Sequence, residues 1–282
     1  MKISSEPEAS GPFELRAVAT GEHAAHREKD TRAASGAGRD WHHRLLRHHA
    51  PVALASALAL VVLMSVSPFA SAGHGDTRLG FDLGSLAPGS DSFISRLTTA
   101  TGYVATGLLA LTLLVGPANL FLRRRNPVSS YVRRDLGTWT AILSVIHVIV
   151  GFQVRGGGTF GFLDFFFSDG QPLTDSFGLG NWTGLAALVV VVGLLVISTD
   201  RSMRELQAER WKNLQRLNYT LFVLVVLHAV FYGALRRPES PFTLLLISIV
   251  IAVLVGQAVG IWLYRRRRSA RRTSGSSAVR AS

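Results

Sequence analysis

Six runs of about 18–24 apolar residues, set between short charged blocks, constrain this chain more than any other feature. They fall at 51–70, 99–122, 136–154, 182–199, 217–235 and 242–264. At roughly 1.5 Å per helical residue each is long enough to cross a hydrocarbon core of about 30 Å. Lipid offers the backbone no hydrogen-bond partner, so such runs must be helices. The expected fold is all-α, a six-helix transmembrane bundle over 51–264. A basic tail, 265–282, follows it. Residues 1–50 carry eight Lys/Arg against seven Asp/Glu and no apolar periodicity of helical length, which reads as a disordered cytoplasmic tail. Its end, "RDWHHRLLRHH" (39–49), reads as a solvated basic flank rather than a metal site. The "ASA" at 70–72 resembles a leader-cleavage site, but the 50 residues ahead of the first apolar run are unlike a leader, so a retained helix is expected.

The net charge of +12 is explained by where the cations sit. Segments 123–134, 200–216 and the stretch after Tyr264 hold seventeen Lys/Arg, and the three alternate loops (73–97, 155–180, 236–241) hold five. That bias predicts a multi-pass protein of the cytoplasmic membrane with both termini in the cytoplasm. The expected partner of the surface is membrane lipid, and nucleic acid is not expected. The absence of cysteine excludes disulfides, iron–sulfur clusters and thiolate metal sites. The loop "GGGTFGFLDFFFSD" (156–169) breaks the helix at its glycines and carries an aromatic run suited to an interfacial lid on the outer leaflet.

Of nine histidines only His147 and His228 lie inside apolar runs, in "SVIHVIVGF" and "VLVVLHAVFYG". With six helices and an inner N-terminus, the third and fifth run in the same direction. Each histidine precedes the outer end of its run by six or seven residues, roughly 10 Å. Two imidazoles at one depth can clamp a planar ligand, and haem is the physical candidate, with a six-coordinate iron suited to electron transfer. The bland alternative is two histidines bonded to neighbouring backbone and packed inside the bundle. Gly151, Gly102 and Gly107 could let a porphyrin edge approach a backbone. Arg155, Arg236 and Arg237 follow their histidines by eight or nine residues, about 12–13 Å along a helix. They either hold haem propionates or anchor helix ends by snorkelling.

Two stretches carry a family resemblance. "RRDLGTWTAILSVIH" (133–147) resembles the third-helix motif of the ferric reductase-like transmembrane domain, in its MsrQ/YedZ branch. "RWKNLQRLNYTLFVLVVLH" (210–228) is similar to the Trp-x-x-Leu-His-Arg-Leu-x-Tyr segment of that branch, and "TGYVATGLLALTLLVGP" (101–117) to the helix before them. Together they cover about 98–235. The resemblance implies a b-type haem held by His147 and His228, and a chain that moves electrons. Members of the wider superfamily stack two haems on two histidine pairs. Here the inner level holds Gln215, Arg133 and Arg134 instead of histidine, so one haem is expected.

A single haem near the outer side lies far from a soluble cytoplasmic donor, a gap that a membrane quinone or a bound flavin (FMN) would bridge, and of these the resemblance implies the flavin, with a reductase partner. Arg133, Arg134 and Lys212 could hold a flavin phosphate or serve topology alone. No G-x-G-x-x-G follows a strand, so no NAD(P)H domain is expected on these residues. The chain then reads as the electron-transfer subunit of an oxidoreductase. Its donor would be a flavin reductase or quinol, and its extracytoplasmic acceptor a methionine sulfoxide reductase, ferric iron or another redox protein. The alternative from another class is a non-redox membrane scaffold or assembly protein that keeps the fold.

Overall fold

The computed structural model describes residues 49–66, 88, 93–122, 128–154, 158–198, 213–214 and 216–280. The expected tail 1–48, Arg155, Lys212 and Gln215 lie outside the described residues. By contact the chain divides into 1–51, of which only 49–51 are described, and the compact unit 52–282.

Among the described residues six α-helices follow in order: α1 (Ala50–Ser65), α2 (Phe93–Phe121), α3 (Val128–Gly151), α4 (Ser176–Ile197), α5 (Leu217–Phe231) and α6 (Pro241–Arg280). Among the described residues three stretches are long and apolar enough to cross a membrane, Phe93–Phe121, Ser176–Ile197 and Pro241–Ser269, while Ala50–Ser65 and Leu217–Phe231 are shorter apolar helices. The protein is an all-α membrane bundle. The bounds differ from the apolar runs where polar chemistry acts. Asp175 caps α4, its carboxylate accepting from the Gly178 amide at 2.8 Å, so that helix begins six residues before the hydrophobic run at 182. α6 continues through the arginine block to Arg280, because arginine is a good helix former and no proline interrupts it.

The bundle is built from two helical hairpins. α2 packs most extensively on α3, and α4 on α5; α6 lies on α2, while α3 meets α4 across the centre. One apolar cluster joins Leu109, Leu113, Ala141, Leu194, Phe222 and Val253 from five helices. A second joins α2 and α3 through Val104, Leu108, Leu136 and Leu143, with Leu60 and Leu63 of α1 against it. Side chains such as Ile149, Val189 and Leu254 face outward, as expected of a lipid-facing surface.

The α2–α6 seam shows how close packing replaces hydrophobic drive inside a membrane. Gly256 and Gly260, one turn apart on α6, rest on Leu114 and Pro117 of α2. A Cβ on Gly260 would stand 3.1 Å from Pro117 Cγ. Pro117 has no amide hydrogen, so the Leu113 carbonyl, four residues earlier, loses its helical donor. Gln257 Nε2 donates to that carbonyl at 2.8 Å, and its Oε1 accepts from the Tyr219 hydroxyl at 3.1 Å. Gln257→Leu is therefore expected to cost about 1–3 kcal/mol, the penalty of an orphaned buried acceptor. In a Pro117→Ala background the same change should cost much less, because residue 117 again supplies an amide. Unfolding of the four proteins in one detergent checks this, and an equal loss in both backgrounds would refute it.

After α3 the aromatic loop forms a 3₁₀ segment (Gly158–Phe165) and a hairpin of β1 (Phe167–Ser168) with β2 (Gln171–Pro172). Asp169 and Gly170 make the turn at φ 51° and 74°, the left-handed pair that a two-residue hairpin needs. Only part of the aromatic run lies outward. Phe162 and Leu163 are exposed, whereas Phe165 and Phe166 are buried against Phe152, Phe177 and Trp182. Those two rings plug the end of the bundle.

Candidate functional site

His147 stands four residues before the end of α3, and His228 three before the end of α5. The matched positions expected from sequence bring the rings together: their centroids are 6.0 Å apart and their planes 82° apart. The helices' C-terminal ends therefore converge on one face of the bundle, beside the aromatic hairpin.

Each ring is held by the helix that precedes its own. His147 Nδ1 lies 2.8 Å from the Thr98 carbonyl oxygen of α2, and His228 Nδ1 lies 2.8 Å from the Gly180 carbonyl oxygen of α4. A carbonyl can only accept, so Nδ1 carries the proton in both rings and the Nε2 lone pair is free for a metal. This is the arrangement in which an outer hydrogen bond fixes the tautomer of a ligating imidazole. One turn past each carbonyl stands a glycine. A Cβ on Gly102 would lie 2.9 Å from His147 Cε1, and one on Gly184 would lie 2.7 Å from His228 Nδ1. Both seats exist only because a side chain is missing there.

The dimensions suit a metal between the rings. With metal–imidazole bonds of roughly 2.0–2.1 Å and a ring nitrogen about 1.1 Å from its centroid, a collinear pair puts centroids about 6.3 Å apart. The observed 6.0 Å is close to that separation. Among the described residues no group of three or more His, Cys, Asp or Glu could hold a metal ion. A pair alone suits a metal that brings its own equatorial ligands, as the iron of a porphyrin does.

The remaining expected residues sort differently. Gly151 faces Thr98, its hypothetical Cβ at an ordinary 3.6 Å from Thr98 Cγ2, and Gly107 has open space. Gly102 serves the histidine seat. Arg236 and Arg237 are exposed in the turn after α5, where the Arg237 carbonyl accepts from Thr243 Oγ1 at 2.7 Å. Arg133 rests against α2, with its Nη2 2.9 Å from a Cβ built on Gly116. Thr98, Gly180 and Gly184 were absent from the sequence expectations, as was the link behind His228. There the Tyr232 ring lies 4.8 Å from the His228 ring, and its hydroxyl bonds Asn181 Oδ1. Asn181 Nδ2 in turn donates to the Phe165 carbonyl at 2.6 Å.

The family model described as "Ferric reductase like transmembrane component" matches residues 101–226, which include His147 and end two residues before His228. A protein of Ralstonia nicotianae named "Protein-methionine-sulfoxide reductase heme-binding subunit MsrQ" is 28% identical over 188 residues, 65% of this chain and 79% of that protein. Its namesake from Herminiimonas arsenicoxydans is 27% identical over 191 residues, 66% of this chain and 80% of the relative. The namesake from Deinococcus radiodurans is 30% identical over 169 residues, 60% of this chain and 73% of the relative. By sequence, by its six-helix membrane fold and by the paired histidines, the chain belongs to the ferric reductase-like transmembrane family, in its MsrQ (YedZ-like) branch.

Proposed function

We propose that this protein is a membrane cytochrome b subunit that holds one haem between His147 and His228 and passes electrons to an acceptor on the hairpin side. The observation that carries this is the neighbouring pair of imidazoles, centroids 6.0 Å apart, each with its Nδ1–H on a carbonyl of another helix and its Nε2 left for iron. The relatives' name as heme-binding subunits of a protein-methionine-sulfoxide reductase supports the same cofactor and suggests such a reductase as the acceptor. Haem, when bound, would supply one-electron transfer; the chain's part would be to hold it through His147 and His228, each fixed by a backbone carbonyl. Arg236 and Arg237 would receive the propionates at the hairpin end; Arg155, a candidate by sequence for the same role, lies outside the described residues.

Electrons would enter at the arginine-rich end. There a cleft of about 410 Å³ lies between α2, α5 and α6, with Tyr219, Gln257, Arg265 and Arg268 in its wall beside apolar Leu120 and Ile261. A donor with a polar head and an apolar body, such as a quinol, suits this mixture, and a flavin phosphate would suit the arginines. Both termini would lie in the cytoplasm, following the seventeen-to-five distribution of Lys and Arg.

The purified protein is expected to show a dithionite-reduced spectrum of low-spin haem b and about one haem per chain by pyridine haemochrome. Protein that stays colourless after expression with ample haem would refute the function. Two haems per chain would refute the single-site form of it.

A further inference from the structure

The two histidine seats are copies of one device. Leu97-Thr98-Thr99-Ala100-Thr101-Gly102 on α2 and Leu179-Gly180-Asn181-Trp182-Thr183-Gly184 on α4 share the pattern Leu-x-x-x-Thr-Gly. The residue after each leucine gives the carbonyl that holds the histidine, 49 residues on in one hairpin and 48 in the other. The final glycine gives the ring its space. The threonine of each copy has an equally matched geometry. Thr101 Oγ1 lies 2.8 Å from the Leu97 carbonyl and 2.9 Å from that of Thr98. Thr183 Oγ1 lies 2.8 Å from the Leu179 carbonyl and 2.9 Å from that of Gly180.

A threonine in a helix commonly bonds back to the carbonyl four residues earlier. Thr106, Thr112, Thr138 and Thr140 show that bond alone. Thr101 and Thr183 differ in also reaching the carbonyl three residues earlier, which is the one that receives the imidazole Nδ1–H. Thr101 Oγ1 is in addition 3.5 Å from His147 Nδ1 itself.

We propose that Thr101 and Thr183 are positioning residues for the two axial histidines, each setting how strongly the shared carbonyl receives the imidazole Nδ1–H. A hydroxyl hydrogen on that oxygen draws on the same lone pairs as the imidazole N–H and weakens the carbonyl as an acceptor. Removing the hydroxyl strengthens the Nδ1–H bond, makes the imidazole more electron-donating and favours ferric over ferrous iron. The inference rests on the haem reading above.

The test is a redox titration of the full-length, haem-loaded protein with Thr101→Val and Thr183→Val, singly and together. The Thr→Ser variants serve as rescue and Thr112→Val as control. Each valine variant is expected to lower the one-electron equilibrium constant for reduction about threefold, about 28 mV at about 59 mV per decade. The double variant should show the sum, since both ligands act on one iron, and the ferric low-spin resonance should shift with it. Serine, which keeps the hydroxyl, and Thr112→Val should match the parent. Loss of haem from a valine variant whose serine counterpart keeps it would also overturn the proposal, since removing the hydroxyl should tighten the hold on the imidazole and not release it. Fully loaded valine variants with the parent's potential and resonance would overturn the proposal and leave the haem reading standing. A parent without haem would overturn both.

Discussion

His147→Ala and His228→Ala are each expected to weaken haem retention at least about a hundredfold, beyond the roughly 10–100-fold that loss of an outer-shell partner alone produces. Neither change should unfold the bundle. Each ring is only part-buried and lies outside both apolar clusters that join the helices. Removing one ring leaves the Thr98 or Gly180 carbonyl with its intrahelical environment and deletes an ionisable group from the membrane interior, which by itself is favourable. The purified variants should therefore elute and unfold like the parent while losing the visible absorbance. His49, at the start of α1, and His74, outside the described residues, supply controls whose alanine variants keep the pigment. Retention of full haem in both His147→Ala and His228→Ala would end the ligand assignment. Loss in one variant only would mean a five-coordinate site with a single protein ligand.

The histidine pair could be read from sequence because two numbers sufficed: position within an apolar run, and direction of the run. Both follow from hydropathy and charge, and the helix ends shift them by only a few residues. What holds the pair was harder to read. The seats lie on α2 and α4, where the relevant groups are backbone carbonyls and missing side chains, and neither registers in a hydropathy profile. Gly102 was noted as a place where a backbone could be approached, but by a porphyrin edge; the close neighbour turns out to be the His147 ring itself. Gly184 carried no signal alone. The signal was relational, a Leu-x-x-x-Thr-Gly pattern beginning 50 residues before one paired histidine and 49 before the other.

The outer loop was half legible in the same sense. Its aromatic run is too apolar for water, yet which rings turn inward depends on Phe152, Phe177 and Trp182 arriving from three other segments. The early start of α4 is not legible in hydropathy because the capping aspartate lies seven residues ahead of the apolar run.

Gly102→Ala and Gly184→Ala should also weaken haem binding, by less than the histidine variants, although they add one methyl group and touch no ligand atom chemically. An alanine at 102 would place its Cβ 2.9 Å from His147 Cε1 and 3.1 Å from Nδ1; at 184 it would sit 2.7 Å from His228 Nδ1. One of the two groups must move. The helix backbone cannot, because Gly102 and Gly184 lie mid-helix in the tightest hairpin contacts of the bundle. The imidazole can move only by giving up its carbonyl, one turn below, or its iron. Without haem the ring is free to swing away, so the apoprotein should fold normally. With haem, the cost falls on binding: a loss of at least about tenfold, or about 1.4 kcal/mol, with the residual pigment shifting from low-spin towards high-spin as an axial bond lengthens. Gly184→Ala should be the more severe, since its intruding methyl sits nearest the nitrogen that anchors the ring. Gly107→Ala and Gly193→Ala, where a Cβ meets nothing within 4 Å, are the matched controls. They should keep full haem and gain up to about 1 kcal/mol from helix propensity. Haem content and the reduced spectrum of the four variants decide the matter. If the 102 and 184 variants are indistinguishable from the 107 and 193 variants, the glycines are not seats for the axial rings, and the close approach seen here has no part in ligation.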